Sequence, residues 1–194
     1  MEDPRTSASP RGRLGRPETR RTRLIARPFL VVAVILVAVL VGLTGCAPTG
    51  AAEIAKGKPV PNITGTTLDG ASFDLAALRG KPLVINFWGP SCVPCRTEFP
   101  LLAAKAAAHA ADGLVIVGVL TDDPVEPARD FVRDHGATWA NVIDPGGVVK
   151  AAYHVLGRPQ SYFVDRQGVL RSIQIGELLD ADFERQYAMI AGGG

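Results

Sequence analysis

The sequence predicts an α/β fold in which a central mixed sheet carries helices on both faces. Three observations predict it. Residues 83–88 are apolar on both faces, as a buried central strand is, and pass through Gly89-Pro90 into an Ala/Leu-rich helical stretch. A second two-sided apolar run, residues 114–120, follows that helix, and strand, helix, strand at this separation implies a parallel right-handed crossover. Residues 161–165 and 169–175 flank the tight turn Arg166-Gln167-Gly168, so the last two strands form an antiparallel hairpin.

In chain order, residues 1–27 hold eight Arg against Glu2, Asp3 and Glu18. This arm carries +5, so a formal net charge of +2 leaves the rest of the 194-residue chain at −3. The basic balance belongs to the arm, and nucleic-acid binding gets no support from it. Fifteen uncharged residues, Phe29 to Leu43, come next, short for a bilayer span. A basic segment, an apolar core and then small residues make an export signal. The ending Leu43-Thr44-Gly45-Cys46 resembles the lipobox of bacterial lipoproteins, which implies that Cys46 becomes the lipidated first residue of the mature protein. Residues 1–45 are then a signal peptide, 46–57 a tether and 58–194 the folded domain. The alternative is an uncleaved signal anchor, since no charge occurs between Pro28 and Ala52 and a tilted helix extended past Leu43 could just span. Either arrangement puts the domain at the extracytoplasmic face of the bacterial cytoplasmic membrane.

Within the domain, residues 61–73 read as a hairpin of two short strands around Asp69-Gly70. Residues 74–78 look like one helical turn, ended by Gly80. Beyond residue 120, Asp123-Pro124-Val125-Glu126 has the signature of a helix start, with Asp123 as cap, Pro124 first and Glu126 three after the cap, and Gly136 closes that helix. Residues 139–143 are a short strand, 148–154 a short helix and 180–190 a last helix.

The chemistry lies in Cys92-Val93-Pro94-Cys95 at the start of the first helix. Unpaired backbone N–H groups and the positive dipole end stabilise an anion there, so Cys92 can be held partly as thiolate near neutral pH. Cys95 lies one turn inside, close enough to attack a mixed disulfide at Cys92, which makes Cys92 the nucleophile and Cys95 the resolving thiol. A purely structural disulfide would add only about 2 kcal/mol by closing so short a loop. Zinc would need two more Cys or His ligands, and His109, His135 and His154 are scattered without ligand spacing. With Cys46 assigned to lipidation, the domain has one cysteine pair and no disulfide framework, so the pair is free to make and break disulfides, with no other cofactor.

From residue 58 onward the sequence resembles the thioredoxin superfamily, specifically its exported, membrane-tethered TlpA/ResA/CcmG-like branch of thiol-disulfide oxidoreductases. The matching features are Asn86-Phe87-Trp88, Cys92-Val93-Pro94-Cys95-Arg96 with Glu98 and Pro100, an inserted strand and helix after Leu120, and Gly157-Arg158-Pro159 before Ser161-Tyr162-Phe163-Val164-Asp165. The resemblance implies a thioredoxin-like three-layer fold with Pro159 as a cis-proline facing the disulfide, and X-Pro is the one bond type that adopts cis cheaply. It places Arg158 beside Cys92, where a cation would lower the thiol pKa, and leaves Trp88 partly exposed at the site. Glu98 is implied as a proton-transfer group whose pKa burial would raise; its alternative is an exposed helix-face charge pairing with Arg96. Two positions depart from the pattern. Ser91 stands where the family usually has Trp, which alters the surface beside the nucleophile, and Asn86 stands where cytoplasmic thioredoxins carry a buried Asp.

The expected activity is reduction of disulfides in exported proteins such as apocytochrome c, with electrons from a membrane thiol donor. Val93-Pro94 does not decide direction, so an oxidant of secreted proteins is the alternative. A Cu(I) chaperone using Cys92 and Cys95 lacks an obvious third ligand. A peroxiredoxin would carry Thr or Ser three residues before its reactive cysteine, where this chain has Gly89.

Overall fold

The computed structural model describes residues 54–192. The apolar run from Phe29 to Leu43 and Cys46, with the signal-peptide and lipidation expectations that rest on them, lie outside the described residues. Among the described residues, no helix is long and apolar enough to cross a membrane.

A short antiparallel hairpin, β1 (Thr64–Thr66) and β2 (Ser72–Asp74), turns at Asp69-Gly70, where Gly70 takes a φ of 88° that a side chain would strain. Asp74 then caps the 3-10 turn Leu75–Leu78 by accepting from the Ala76 N–H. The main sheet has five strands: β3 (Leu83–Trp88), β4 (Val115–Leu120), β5 (Asn141–Ile143), β6 (Gln160–Val164) and β7 (Leu170–Ile175), in the order β5-β4-β3-β6-β7. β3 pairs parallel to β4 and β4 parallel to β5, while β6 runs antiparallel to both β3 and β7. This is the mixed sheet expected from the sequence. Four helices complete it: α1 (Val93–Ala108), α2 (Val125–Asp134), α3 (Val148–Ala152) and α4 (Asp180–Ala191).

Strand alternation sorts the core into two sides. Leu83, Ile85 and Phe87 of β3 face a cluster with Ile63, Leu75, Val117, Tyr153 and Tyr162, against which α3 lies. Val84 points the other way, to Leu102 of α1 and Phe183, Tyr187 and Ile190 of α4. Trp88 joins Cys95, Phe99, Leu120 and Ala128, where α1 meets α2. Helices therefore cover both faces, and β3 is buried along its whole length.

Two local expectations are corrected. The inserted unit is α2 followed by β5, and α2 is capped by Pro124 with no side-chain hydrogen bond, not by Asp123. The carboxylate of Asp123 is engaged elsewhere, by groups 32 and 35 residues away in the chain. The folded domain also begins before residue 58. Ile54 packs on the first core cluster, and the Gly57 N–H donates to the Leu170 carbonyl at 2.8 Å, so the end of the expected tether is docked on β7.

Candidate active site

The site lies where β3 ends and α1 begins. The Thr121 N–H donates to the Trp88 carbonyl and the Cys92 N–H to the Gly89 carbonyl, which shapes the chain into a turn before the helix. Cys92 is the N-cap of α1, with extended backbone, and its Sγ accepts the Cys95 N–H at 3.2 Å. A sulfur at the cap takes one of the helix's four unpaired donors, which is how the fold favours negative charge on Cys92. Pro94, in the first turn, has no N–H to leave unpaired. Cys92 and Cys95 form a disulfide with Cα atoms 5.2 Å apart. Cys92 is part-exposed while Cys95 is 1% exposed, so only the first sulfur is open to another molecule. Val93 between them is 68% exposed.

Pro159 is buried at the start of β6, and the Arg158–Pro159 peptide is cis. Glu98 is not an exposed helix-face charge. It is 2% exposed, one turn beyond Cys95 on the same buried side of α1. Its Oε1 accepts from Asn86 Nδ2 at 2.8 Å and its Oε2 from the Leu178 N–H at 2.9 Å. Burial pushes its carboxyl up to about 7, against the two hydrogen bonds, which favour the anion, and with a further push from the nearby Glu177 charge. Asn86 also donates to Ser161 Oγ at 2.9 Å, so the amide that replaces an acid here positions the acid on α1.

Two expectations change. Trp88 is buried, 1% exposed, because its ring sits 5.1 Å from that of Phe99 and 5.5 Å from that of Phe131. Arg158 does not present a bare cation to Cys92. Its Nη1 donates to the Thr121 carbonyl and to Asp123 Oδ2 at 3.0 Å, and its Nη2 lies 3.4 Å from Ser91 Oγ. Ser91, in place of an aromatic, donates its hydroxyl to Asp123 Oδ1 at 2.6 Å and its N–H to Oδ2 at 2.9 Å. A side chain at Gly89 would meet Arg158 Nη1 and Asp123 Oδ2, so the Thr or Ser of a peroxiredoxin would have to displace this pair. Asp123 is the site residue that reading the sequence missed. The signal that could have found it is its place just after a parallel strand, at the carboxyl edge where open α/β sheets build sites.

A family model described as the AhpC/TSA family matches residues 56–173. Thiol-disulfide oxidoreductase ResA of Geobacillus kaustophilus is 29% identical over 171 residues, 88% of this chain and 98% of that protein. Soluble secreted antigen MPT53 of Mycobacterium tuberculosis is 38% identical over 138 residues, 71% of this chain and 76% of that protein. The crystal structure of a protein described as thiol:disulfide interchange protein DsbE, from Chlorobium tepidum, aligns with a TM-score of 0.67 at 27% identity, over 72% of this chain and all of that one. A cysteine pair at redox spacing on this fold, with these relatives, shows that the chain belongs to the AhpC/TSA family, as a thioredoxin-like thiol-disulfide oxidoreductase of the ResA and DsbE type.

Proposed function

We propose that the protein is a reductase of disulfides in exported proteins, held outside the cytoplasmic membrane and supplied with electrons by a membrane thiol donor. The observation that carries the direction is the buried Glu98 carboxyl one helical turn beyond Cys95. Negative charge there disfavours a second anion on the dithiol, and strong oxidants depend on a stabilised reduced form. Where Glu98 is ionised, its charge offsets the stabilisation that the cap of α1 gives a Cys92 thiolate, and a pair whose reduced form is less stabilised holds its disulfide more firmly and gives electrons away.

In this reading the Cys92 thiolate attacks one sulfur of a substrate disulfide. The substrate S–S bond breaks, and the leaving thiolate takes up a proton. Cys95 then passes its proton to Glu98 and attacks Cys92 Sγ; the mixed disulfide breaks, and the second substrate sulfur leaves and is protonated. Two electrons and two protons pass to the substrate, and Cys92 and Cys95 end as the disulfide. The exposed Val93 and part-exposed Pro94 follow the sulfur that the substrate meets, Pro159 is the cis-proline that the resemblance sets facing it, and Ser91 and Arg158 shape the loops beside it. The basic arm, apolar run and Cys46 support the location, by lipid or by an uncleaved anchor, and apocytochrome c is a substrate of the expected chemical class.

Equilibration of the Cys92–Cys95 pair in thiol buffers of known poise tests the direction. A potential near roughly −270 mV is expected, and a value above about −150 mV would make the protein an oxidant and overturn the proposal.

A further inference from the structure

Three loops meet beside Cys92, and one carboxylate joins them. Asp123, on the loop after β4, has a side chain only 6% exposed and accepts two hydrogen bonds from Ser91, the residue before the nucleophile. The same carboxylate forms an ion pair at 3.0 Å with Arg158, the residue before Pro159, whose side chain is 16% exposed. Arg158 also donates to the backbone of Thr121, so the β3, β4 and β6 ends are tied by one charged group. Gly89 is the backbone against which this pair lies, and a Cβ there would push the pair away. Screening by water is weak for a pair this enclosed, so each charge is felt chiefly through its partner.

We propose that Asp123 is the positioning residue of the reactive thiol, fixing the turn that presents Cys92 and cancelling the Arg158 charge beside it. The arrangement suits a small hydrogen-bonding side chain at position 91. Ser91 gives Asp123 its hydroxyl as well as its N–H, and a Trp has no hydroxyl to give, which lends the departure at Ser91 a physical role. Of the other charges near the loops, Asp122 is spent on Lys150 at 2.6 Å, Arg96 is exposed on the first turn of α1, and Glu98 lies inward of Cys95. Asp123 and Arg158 are thus the paired charges that meet Ser91, the residue before the nucleophile. The inference holds for either direction of electron flow, so a potential that overturned the reductase reading would leave it standing.

The test is the pH dependence of Cys92 alkylation by iodoacetamide in the reduced full-length protein, followed on the Cys92 peptide by mass spectrometry. Asp123→Asn leaves Arg158 uncancelled, and the alkylation midpoint is expected to fall by about one pH unit. Stabilising the thiolate in this way shifts the dithiol–disulfide equilibrium by up to tenfold, a rise of about 30 mV in potential. Asp123→Asn combined with Arg158→Met should return both readouts to wild type, which a merely structural role for Asp123 would not do. An unmoved midpoint in Asp123→Asn, or a shift that persists in the double variant, overturns the proposal. Should Asp123→Asn fail to fold, Arg158→Met decides: it leaves Asp123 as an unpaired anion, so the midpoint must rise, and no rise overturns the proposal.

Discussion

Cys95→Ser is expected to end turnover while leaving Cys92 able to capture a substrate as a stable mixed disulfide. The two sulfurs are not equivalent: Cys92 caps α1 and is part-exposed, whereas Cys95 is buried at 1%. A serine hydroxyl cannot resolve a disulfide, so the covalent intermediate accumulates. Loss of such a group costs on the order of a thousandfold or more in rate. Non-reducing electrophoresis and mass spectrometry should find the adduct on Cys92 in Cys95→Ser and no adduct in Cys92→Ser. Efficient capture by Cys95 in the absence of Cys92 would reverse the assigned roles.

The second large effect concerns Glu98. Its carboxyl has a pKa of about 7 in the folded protein against 4.5 for the ordinary group. Between those values the folded state keeps a proton that the unfolded state releases, so stability falls as pH rises from about 4.5 through about 7, by roughly 3 kcal/mol at most. Glu98→Gln removes that slope. At pH 5 it should cost about 1–2 kcal/mol, because both Glu98 oxygens accept hydrogen bonds and an amide can accept with only one. Turnover should drop about a hundredfold, with the loss greatest where Glu98 is ionised and able to take the Cys95 proton. Denaturant midpoints at pH 5 and pH 8, with rates over the same range, check both. A wild-type stability that does not fall with pH would mean that Glu98 is ionised throughout.

The layers of this fold were legible because local signals agree with the global arrangement. β3 and β4 are apolar on both faces, Asp69-Gly70 supplies the turn of the hairpin, and Asp74 supplies a cap that the structure uses. The cysteine pair was legible because its chemistry depends on spacing along one helix. What escaped depends on side chains brought together from afar. Asp123 sits in a sequence that spells a helix cap, yet its carboxylate meets Ser91 and Arg158, 32 and 35 residues away. Glu98 could have faced water or the core, because nothing local says that Leu178, 80 residues on, offers its N–H there. Nothing local marks Trp88 as buried, because its surroundings are set by Phe131 on the inserted helix.

The segment ahead of β3 has a further consequence for how this protein behaves in company. Its first part lies along β7, where Pro59 bridges Val169 and Leu170 donates to the Lys58 carbonyl at 2.9 Å. It then crosses the core at Ile63 and reaches β5, where Thr67 bridges Val142 and Leu68 donates to the Asn141 carbonyl at 2.8 Å. β7 and β5 are the two outer strands of the sheet, so one stretch of chain occupies hydrogen-bonding groups on both. Bare strand edges invite neighbouring molecules to add on, and closing two of them with one strap is a safeguard against self-association. The same strap also places Leu68 in the cluster with Trp88 and Cys95, so the guard on the sheet edges and the packing behind the disulfide come from one stretch of chain.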